Sequence, residues 1–194
     1  SALDQQTRRQ ARILLKKAVR DRSTTVIHIT HDLDDAWALA DKLAVFNKGK
    51  LLQFGPIDTV FCRPESKFVA EFVGAEFFNG TIISCANNSS KIDLGGFYLT
   101  SIDLARKGAK VNVAIRYEDI SVTKIRPIHD NGVNILEGIL EHVIPEGPAS
   151  MVNIKINGTR INALISNRSF NMLNLNSGEH VYAIINKDNV NIIH

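Results

Sequence analysis

The first third of the chain carries apolar positions at helical spacing. This spacing predicts a helix from residue 5 to about residue 22 with one apolar face. Asp4 stands just before it, and its carboxylate can accept hydrogen bonds from the free N–H groups of the first turn. The positions that form the predicted apolar face are Ala11, Leu14, Leu15 and Ala18.

Shorter apolar runs follow this helix. The β-branched run at residues 25–30 predicts a short buried strand, and residues 32–41 predict a second helix. Apolar runs at residues 43–46 and 51–54 flank a turn in which Gly49 can adopt positive φ, so they predict a hairpin. Short helices are then expected after Pro56 and after Pro64, and the latter ends at Gly74.

The pattern changes from about Phe77 onward, where short apolar strands recur between turn signals. The strongest hairpin signal is Asn157-Gly158, because both central residues of a type I′ turn need positive φ. Closely spaced strands favour a small OB-like barrel or sandwich. Residues 78–82 are similar to residues 136–140, so the β-rich part is expected to hold two units that divide near residue 130.

The composition of the chain argues against several classes of function. The chain has 194 residues and a net charge of +3, which is too small to indicate a nucleic-acid partner. Its two cysteines lack metal-ligand spacing, so both are interpreted as reduced packing residues. No apolar run is long enough to cross a bilayer. The cluster of seven basic residues between positions 8 and 22 is interpreted as a solvated helix face.

Two short motifs bear on chemistry. Ser1-Ala2-Leu3-Asp4 opens the chain, and Thr30-His31-Asp32 follows the predicted strand. They are similar to the D-loop and the switch-histidine loop of ABC-transporter ATPases. Further on, residues 115–120 (Ile-Arg-Tyr-Glu-Asp-Ile) are similar to the family's Ile-Arg-Pro-Glu-Asp segment, with Tyr117 in the usual place of proline. No Gly-x-x-x-x-Gly-Lys-Ser/Thr phosphate-binding loop occurs in the sequence.

The chain thus resembles the C-terminal part of the ATP-binding subunit of an ABC importer. The resemblance implies an α/β fragment of a nucleotide-binding domain over residues 1–75. It implies an all-β, OB-like (TOBE) regulatory domain over residues 76–194. The parent subunit would use ATP and Mg²⁺, while this segment alone is expected to bind no cofactor and to have little activity.

The same resemblance assigns roles to two residues of the first part. His31 would hydrogen-bond the γ-phosphate and hold the attacking water. Asp4 would lie at a dimer interface, although a plain helix cap is the competing interpretation. A homodimer, a membrane permease partner and a cytoplasmic location beneath that permease are implied as well.

The trailing region looks more like the oxyanion-binding TOBE type of molybdate, tungstate or sulfate importers than the sugar-importer type. An oxyanion site needs several hydrogen-bond donors and a positive charge. The candidates are Ser166, Asn167, Ser169 and Lys187. Against this site, the Ser-Ala-Arg-Asn opening of molybdate-binding modules is absent, and Asp188 stands where a small hydroxyl residue is usual.

Three alternatives remain beside this hypothesis. The barrel could serve only as a structural or docking domain of a sugar-type importer, its polar loops being ordinary surface turns. A nucleic-acid-binding OB module would require a basic, aromatic-lined groove, which residues 76–194 do not offer. A stand-alone hydrolase is disfavoured, because the sequence contains none of the motifs usual for one.

Overall fold

The computed structural model describes residues 4–22, 24–128 and 132–193. It divides the chain into two compact units, residues 1–60 and 61–194. The domain boundary expected at residues 75/76 stays a prediction. It was defined by resemblance to the domains of a family, whereas the two units above are defined by compactness. Residues 1–3 of the D-loop-like motif lie outside the described residues.

The first unit contains two helices and a hairpin. Helix α1 spans Gln5–Arg22 and α2 spans Leu33–Leu39. Strands β1 (Lys42–Asn47) and β2 (Lys50–Pro56) pair antiparallel. Lys48 and Gly49 have φ of 48° and 76°, so the predicted hairpin turn is confirmed. Helix α3 (Ile57–Cys62) follows.

The strand predicted for residues 25–30 is wrong. This segment has no strand partner among the described residues, and the side chains of Ile27 and Ile29 are 90% and 93% exposed. An extended segment needs a neighbouring strand to satisfy its backbone, whatever its β propensity. The first part was expected to be an α/β fragment. Its described residues form helices and one β-hairpin.

The second unit begins with a short helix and continues in β-structure. Helix α4 (Lys67–Val73) ends at Gly74, whose φ of 78° and ψ of 47° give the left-handed cap predicted from the sequence. The strands that follow form two antiparallel five-stranded sheets. Their bounds are β3 (Ala75–Ala86), β4 (Ser89–Asp93), β5 (Tyr98–Ser101), β6 (Lys110–Arg116), β7 (Ile120–Thr123), β8 (Val133–Glu146), β9 (Ala149–Ile156), β10 (Thr159–Ser166), β11 (His180–Asn186) and β12 (Asn191–Ile193). A short helix α5 (Asn167–Leu173) lies between β10 and β11.

The two sheets are built from two successive repeats that exchange their last strands. The strand order is β12-β6-β3-β4-β5 in the first sheet and β10-β9-β8-β11-β7 in the second. Strand β7 follows the first repeat in sequence but pairs with β11. Strand β12 ends the second repeat but pairs with β6. Neither sheet is therefore complete without a strand from the other repeat.

Each repeat begins with a long strand that contains a glycine, and neighbouring side chains lie close to the backbone at this glycine. A Cβ on Gly80 would lie 2.6 Å from Leu94 Cδ2, and one on Gly138 would lie 2.7 Å from Ile154 Cγ2. Both strands also have a register shift a few residues later, after Ile82 and after Leu140. A bulge bends a strand and increases its twist, which lets each long strand curve around the core.

The core of the second unit lies between the two sheets. It is almost entirely aliphatic, with side chains from both sheets that are at most 2% exposed, among them Ile92, Leu99, Ile115, Leu140, Ile154 and Ile185. The hairpin between β9 and β10 turns at Asn157 and Gly158, with φ of 46° and 88°. The sequence prediction of a positive-φ turn at this place is confirmed.

Candidate functional site

His31 is one of the residues that line a groove in the first unit. The groove has a volume of about 320 Å³ and is lined by residues of α1, of the segment before α2 and of α2 itself. The side chain of His31 is exposed. An imidazole in this position is accessible to a ligand, as the hypothesis of a phosphate-contacting histidine requires.

Both residues beside His31 are fixed by hydrogen bonds. Thr30 Oγ1 accepts from the Asp32 N–H at 3.0 Å. Asp32 is the N-cap of α2, and its Oδ1 accepts from the N–H groups of Asp34 and Asp35 at 2.9 and 3.2 Å. This cap satisfies donors that the first turn of α2 leaves free. These hydrogen bonds therefore hold the backbone on both sides of His31.

Helix α1 holds α2 through three basic residues at four-residue spacing. Arg8 Nη1 lies 2.9 Å from Asp32 Oδ2, and Arg12 Nη2 lies 2.5 Å from Asp35 Oδ1. Lys16 Nζ donates to the Ala38 carbonyl at 3.2 Å. The predicted solvated face is therefore confirmed for Arg8 and Lys16, which are exposed, whereas Arg12 is half-buried. The i, i+4, i+8 spacing of these residues was the signal for a shared edge.

The Asp32 carboxylate is stabilised in its charged form. The hydrogen bond from the Asp35 N–H has the largest effect and lowers the pKa of Asp32. Burial, the next largest effect, raises this pKa, and the Asp34 N–H, Arg12 and Arg8 lower it further. Arg8 and Arg12 already form ion pairs with Asp32 and Asp35, so these two carboxylates in the groove are not free. Among the described residues, no group of three or more His, Cys, Asp or Glu is placed to hold a metal ion.

Asp4 acts as a helix cap in this structure. Its Oδ1 accepts from the Thr7 N–H at 2.8 Å and its Oδ2 from the Thr7 hydroxyl at 2.9 Å. The Thr7 backbone bond, followed by the hydroxyl bond, lowers the pKa of Asp4. Capping is thus observed, whereas a role at a dimer interface stays a prediction.

Three of the four oxyanion candidates come together at the start of α5. Ser166 is the N-cap of this helix, and its Oγ accepts from the Ser169 N–H at 3.1 Å and lies 2.9 Å from the Ser169 Oγ. Asn167 accepts from the Ser150 hydroxyl and donates to the Gly147 carbonyl, both at 2.8 Å. Ser166 and Ser169 thus already bond to each other. Asn167 ties α5 to the turn between β8 and β9 and to the start of β9.

Lys187 lies on a different element, the short 3-10 helix Lys187–Asn189 between β11 and β12. Its backbone N–H donates to the Gly132 carbonyl at 3.0 Å, and its carbonyl accepts from the Ile102 N–H at 3.3 Å. In the described part of the chain, no hydrogen bond or ion pair joins Lys187 to Ser166, Asn167 or Ser169. The four candidates do not form one cluster.

The sequence analysis missed Glu76, a carboxyl group in the second unit. It lies at the start of β3, and its Oε1 accepts from the Asn162 N–H of β10 at 2.6 Å. Burial raises the pKa of Glu76 to about 7, although the Asn162 hydrogen bonds and Lys67 act in the opposite direction. A single carboxylate within the otherwise apolar run 75–78 was the signal that could have identified it.

The sequence was then compared with known proteins. Residues 130–192 match the family model of the TOBE domain. The chain is 30% identical over 182 residues to the molybdate/tungstate import ATP-binding protein WtpC of Pyrococcus horikoshii, an alignment that covers 93% of this chain and 50% of that protein.

Relatives named for other solutes are nearly as similar to the chain. The spermidine/putrescine import ATP-binding protein PotA of Borrelia garinii subsp. bavariensis is 29% identical over 196 residues, covering 100% of this chain and 52% of that protein. The trehalose/maltose import ATP-binding protein MalK of Thermococcus litoralis is 30% identical over 166 residues, covering 81% and 44%. The chain spans about half the length of the curated relatives it matches.

One solved structure shares the fold of the second unit's β-rich part. The cytoplasmic molybdate-binding protein ModG, crystallised with molybdate bound, matches with a TM-score of 0.51 and 20% identity over 60% of this chain and 94% of that one. At this identity the likeness shows the fold alone.

The class defined by these findings is an OB-like β domain that follows a segment with a histidine-bearing loop. Residues 130–192 are a TOBE domain, and the chain is homologous to the ATP-binding subunits of ABC importers. No helix among the described residues is long and apolar enough to span a membrane.

Proposed function

We propose that the chain is the C-terminal regulatory portion of the ATP-hydrolysing subunit of an ABC importer. The observation that supports this most directly is the exposed His31 in the lining of the α1/α2 groove, in a chain homologous to import ATP-binding proteins. The parent protein binds ATP with Mg²⁺, works as a homodimer and lies at the cytoplasmic face of a membrane permease.

In this proposal His31 contacts the γ-phosphate of ATP and holds the attacking water. The imidazole can donate one hydrogen bond to phosphate and accept one from water. The bonds made by Thr30 and Asp32 hold the backbone on either side of it, so little reorganisation is needed when the phosphate arrives. The described acidic residues form no metal cluster, and Asp32 and Asp35 face arginines, so these two carboxylates are not proposed as Mg²⁺ ligands.

The test of this role is a substitution of His31 in the intact ATP-binding subunit that contains this chain. His31→Ala should lower kcat for ATP by about 10²-fold or more while the Kd for ATP changes little. His28→Ala is the matched control, because His28 lines the same groove but lacks the motif context. Equal loss of kcat in both variants would contradict a specific role for His31.

The proposal extends to an oxyanion such as molybdate, tungstate or sulfate as the regulated solute. Support comes from the similarity to WtpC, a molybdate/tungstate import ATP-binding protein. The residues proposed to take part are Ser166, Asn167 and Ser169 at the start of α5, with Lys187 as a candidate on a separate element. Titration calorimetry of the chain with tungstate, molybdate, sulfate and chloride tests this: a selective heat for one oxyanion that Lys187→Ala abolishes would support it.

A second candidate is a TOBE domain that serves dimerisation and docking without a ligand. The hydrogen bonds that already satisfy Ser166, Ser169 and Asn167 favour it, as does the similarity to relatives that import polyamines and sugars. Absence of heat with every oxyanion, together with a concentration-dependent dimer in light scattering, is the result this candidate predicts.

A further inference from the structure

A polar groove lies on the outer face of the first sheet of the second unit. Its volume is about 670 Å³, which is within the range of small-molecule sites. It extends over β3, β4 and β6 to the end of β12. The polar side chains in its lining are Asn79, Thr81, Asp93, Lys110 and Asn112. None of the four oxyanion candidates lines it.

The alternation of side chains along the strands places these polar groups on one surface. Val111 of β6 is 5% exposed and packs in the core. Because successive side chains of a strand point to opposite faces, the flanking Lys110 and Asn112 point to the outer face. Their cross-strand partners on β3 are Thr81 and Asn79, which therefore share this face.

The groove contains two cross-strand rows. In one row Asn79 lies opposite Asn112, and opposite residues have Cβ atoms about 5 Å apart, so the two amides are neighbours. In the other row Thr81 lies between Lys110 and Asp93. A strand thus separates the cation from the anion, and no ion pair joins the two in the described part of the chain.

The two amides have hydrogen-bonding groups to offer. Across residues 4–22, 24–128 and 132–193, no hydrogen bond engages the side chain of Asn79 or Asn112. The second sheet also has a cross-strand asparagine pair, Asn153 and Asn162, but there the Asn153 Nδ2 donates to the Asn162 Oδ1. The pair in the groove therefore keeps for a ligand the donor and acceptor that the other pair uses internally.

The second repeat uses the equivalent position differently. Glu137 precedes Gly138 in β8 as Asn79 precedes Gly80 in β3. The Glu137 Oε1 lies 3.8 Å from His180 Nδ1, so this side chain is engaged within the chain. The available amide is a property of the first repeat and not of the fold that both repeats share.

The lining indicates a neutral ligand that both donates and accepts hydrogen bonds. Each amide offers a carbonyl acceptor and an NH₂ donor, and the Thr81 hydroxyl can do either. An anion would be repelled by Asp93 and a cation by Lys110. No aromatic side chain is present among the described lining residues, so the groove offers no platform on which a nucleobase could stack.

We propose that this groove binds a neutral polyhydroxylated small molecule, a mono- or disaccharide. Every hydroxyl group of a sugar can donate and accept, so two adjacent hydroxyls match the amides of Asn79 and Asn112. Lys110 donates to a third hydroxyl. Asp93 accepts through Oδ2, since its Oδ1 already accepts from the Gly95 N–H at 2.9 Å.

The expected affinity is low. Asn79 and Lys110 are exposed, so water competes for their hydrogen bonds, and the dissociation constant should be on the order of 1 mM. The site is independent of the proposed transport function, because it needs neither nucleotide nor a second subunit.

The experiment is an NMR titration of the ¹⁵N-labelled 194-residue chain with glucose, maltose and sucrose. At least one sugar, at concentrations up to about 50 mM, should cause saturable shifts of the side-chain amide signals of Asn79 and Asn112 and of the Thr81 backbone amide. Glucuronate and glucosamine, which carry a charge, should bind more weakly than glucose. Absence of saturable shifts with all three neutral sugars, or shifts confined to residues outside the groove, overturns the proposal.

Substitutions identify the side chains that bind. Asn79→Ala and Asn112→Ala should each raise the dissociation constant about 3- to 10-fold, the loss expected for one hydrogen bond. Glu137→Ala is the matched control at the equivalent position of the second repeat and should leave it unchanged. The melting temperature of each variant reports its fold, and Asn79→Ala, at the exposed position, keeps the test valid if Asn112→Ala unfolds. An unchanged affinity in Asn79→Ala, or an equal loss in Glu137→Ala, contradicts the site.

Discussion

Arg63 and Asp103 form a two-pronged ion pair that covers the outer edge of β12. Arg63 Nη2 lies 3.1 Å from Asp103 Oδ1 and 3.0 Å from Oδ2. On the strand, Asp103 Oδ2 accepts from the Ile192 N–H at 3.0 Å, and Arg63 Nη1 donates to the Ile192 carbonyl at 3.1 Å. The pair thus satisfies edge groups that a neighbouring strand would otherwise bind.

This relationship predicts the effect of Arg63→Ala. The variant loses the ion pair and leaves the Ile192 carbonyl without its donor, so its free energy of unfolding should fall by about 1–2 kcal/mol. Urea denaturation followed by circular dichroism measures this change. Arg63→Lys should recover only part of it, because a lysine cannot reproduce the planar fork. Identical denaturation midpoints for Arg63→Ala and the wild type would show that the edge pair contributes nothing.

Gly138→Ala should destabilise the second unit. Its new Cβ would lie 2.7 Å from Ile154 Cγ2 and 2.7 Å from the Lys155 carbonyl oxygen, and the backbone oxygen cannot rotate away. Such overpacking costs about 1–3 kcal/mol, which thermal unfolding can detect. Gly55→Ala is the matched control, since its nearest neighbour would be Val60 Cγ2 at 4.0 Å. The control should change the melting temperature less than Gly138→Ala does.

Arg12→Ala should release α2 from α1. Helix α2 has seven residues, too few to be stable without tertiary contacts, and Arg12 binds Asp35 of this helix at 2.5 Å and its N-cap Asp32 at 3.9 Å. Amide hydrogen exchange should show faster exchange in α2, and the ion pairs' contribution of about 0.5–1 kcal/mol should shrink at high salt. Arg9→Ala, an exposed position on the same helix, is the control and should leave α2 protection unchanged.

The cap of α2 predicts a loss of protection at acid pH. Hydrogen bonds, first that of the Asp35 N–H, lower the pKa of Asp32 below its ordinary value of 3.8. Its contribution is therefore present above pH 3.8 and disappears as the pH falls through the lower, folded-state value. Asp32→Asn keeps a capping oxygen without the titration, so hydrogen exchange of α2 in this variant should lack the acid step. A step of equal size in both proteins would assign the acid sensitivity to another group.

Local elements whose residues define their own geometry could be predicted from the sequence. Asp4 was expected to cap α1 and does so. Gly74 was expected to end a helix, and Asn157-Gly158 to turn a hairpin; both have the positive φ this requires. Each of these features depends on residues within a few positions along the chain, so no knowledge of distant contacts was needed.

Part of the candidate site followed from the sequence in the same way. The motif identified His31, and its exposure agrees with the proposed role. The partners of Asp32, namely Arg8 and Arg12, were not predicted, because they lie 24 and 20 positions away and their charges are equally compatible with solvent. Glu76 was missed for the same reason, since its partner Asn162 is 86 positions distant.

The sequence by itself determined the caps, the turns, the change from helical to strand periodicity and the similarity to import ATP-binding proteins, because these depend on neighbouring residues or on short motifs. Only the tertiary structure decided that residues 25–30 form no strand, that β7 and β12 change sheets and that a glutamate joins those sheets. Strand pairing and burial depend on which distant backbone or side chain arrives as a neighbour, and propensity carries no record of that partner.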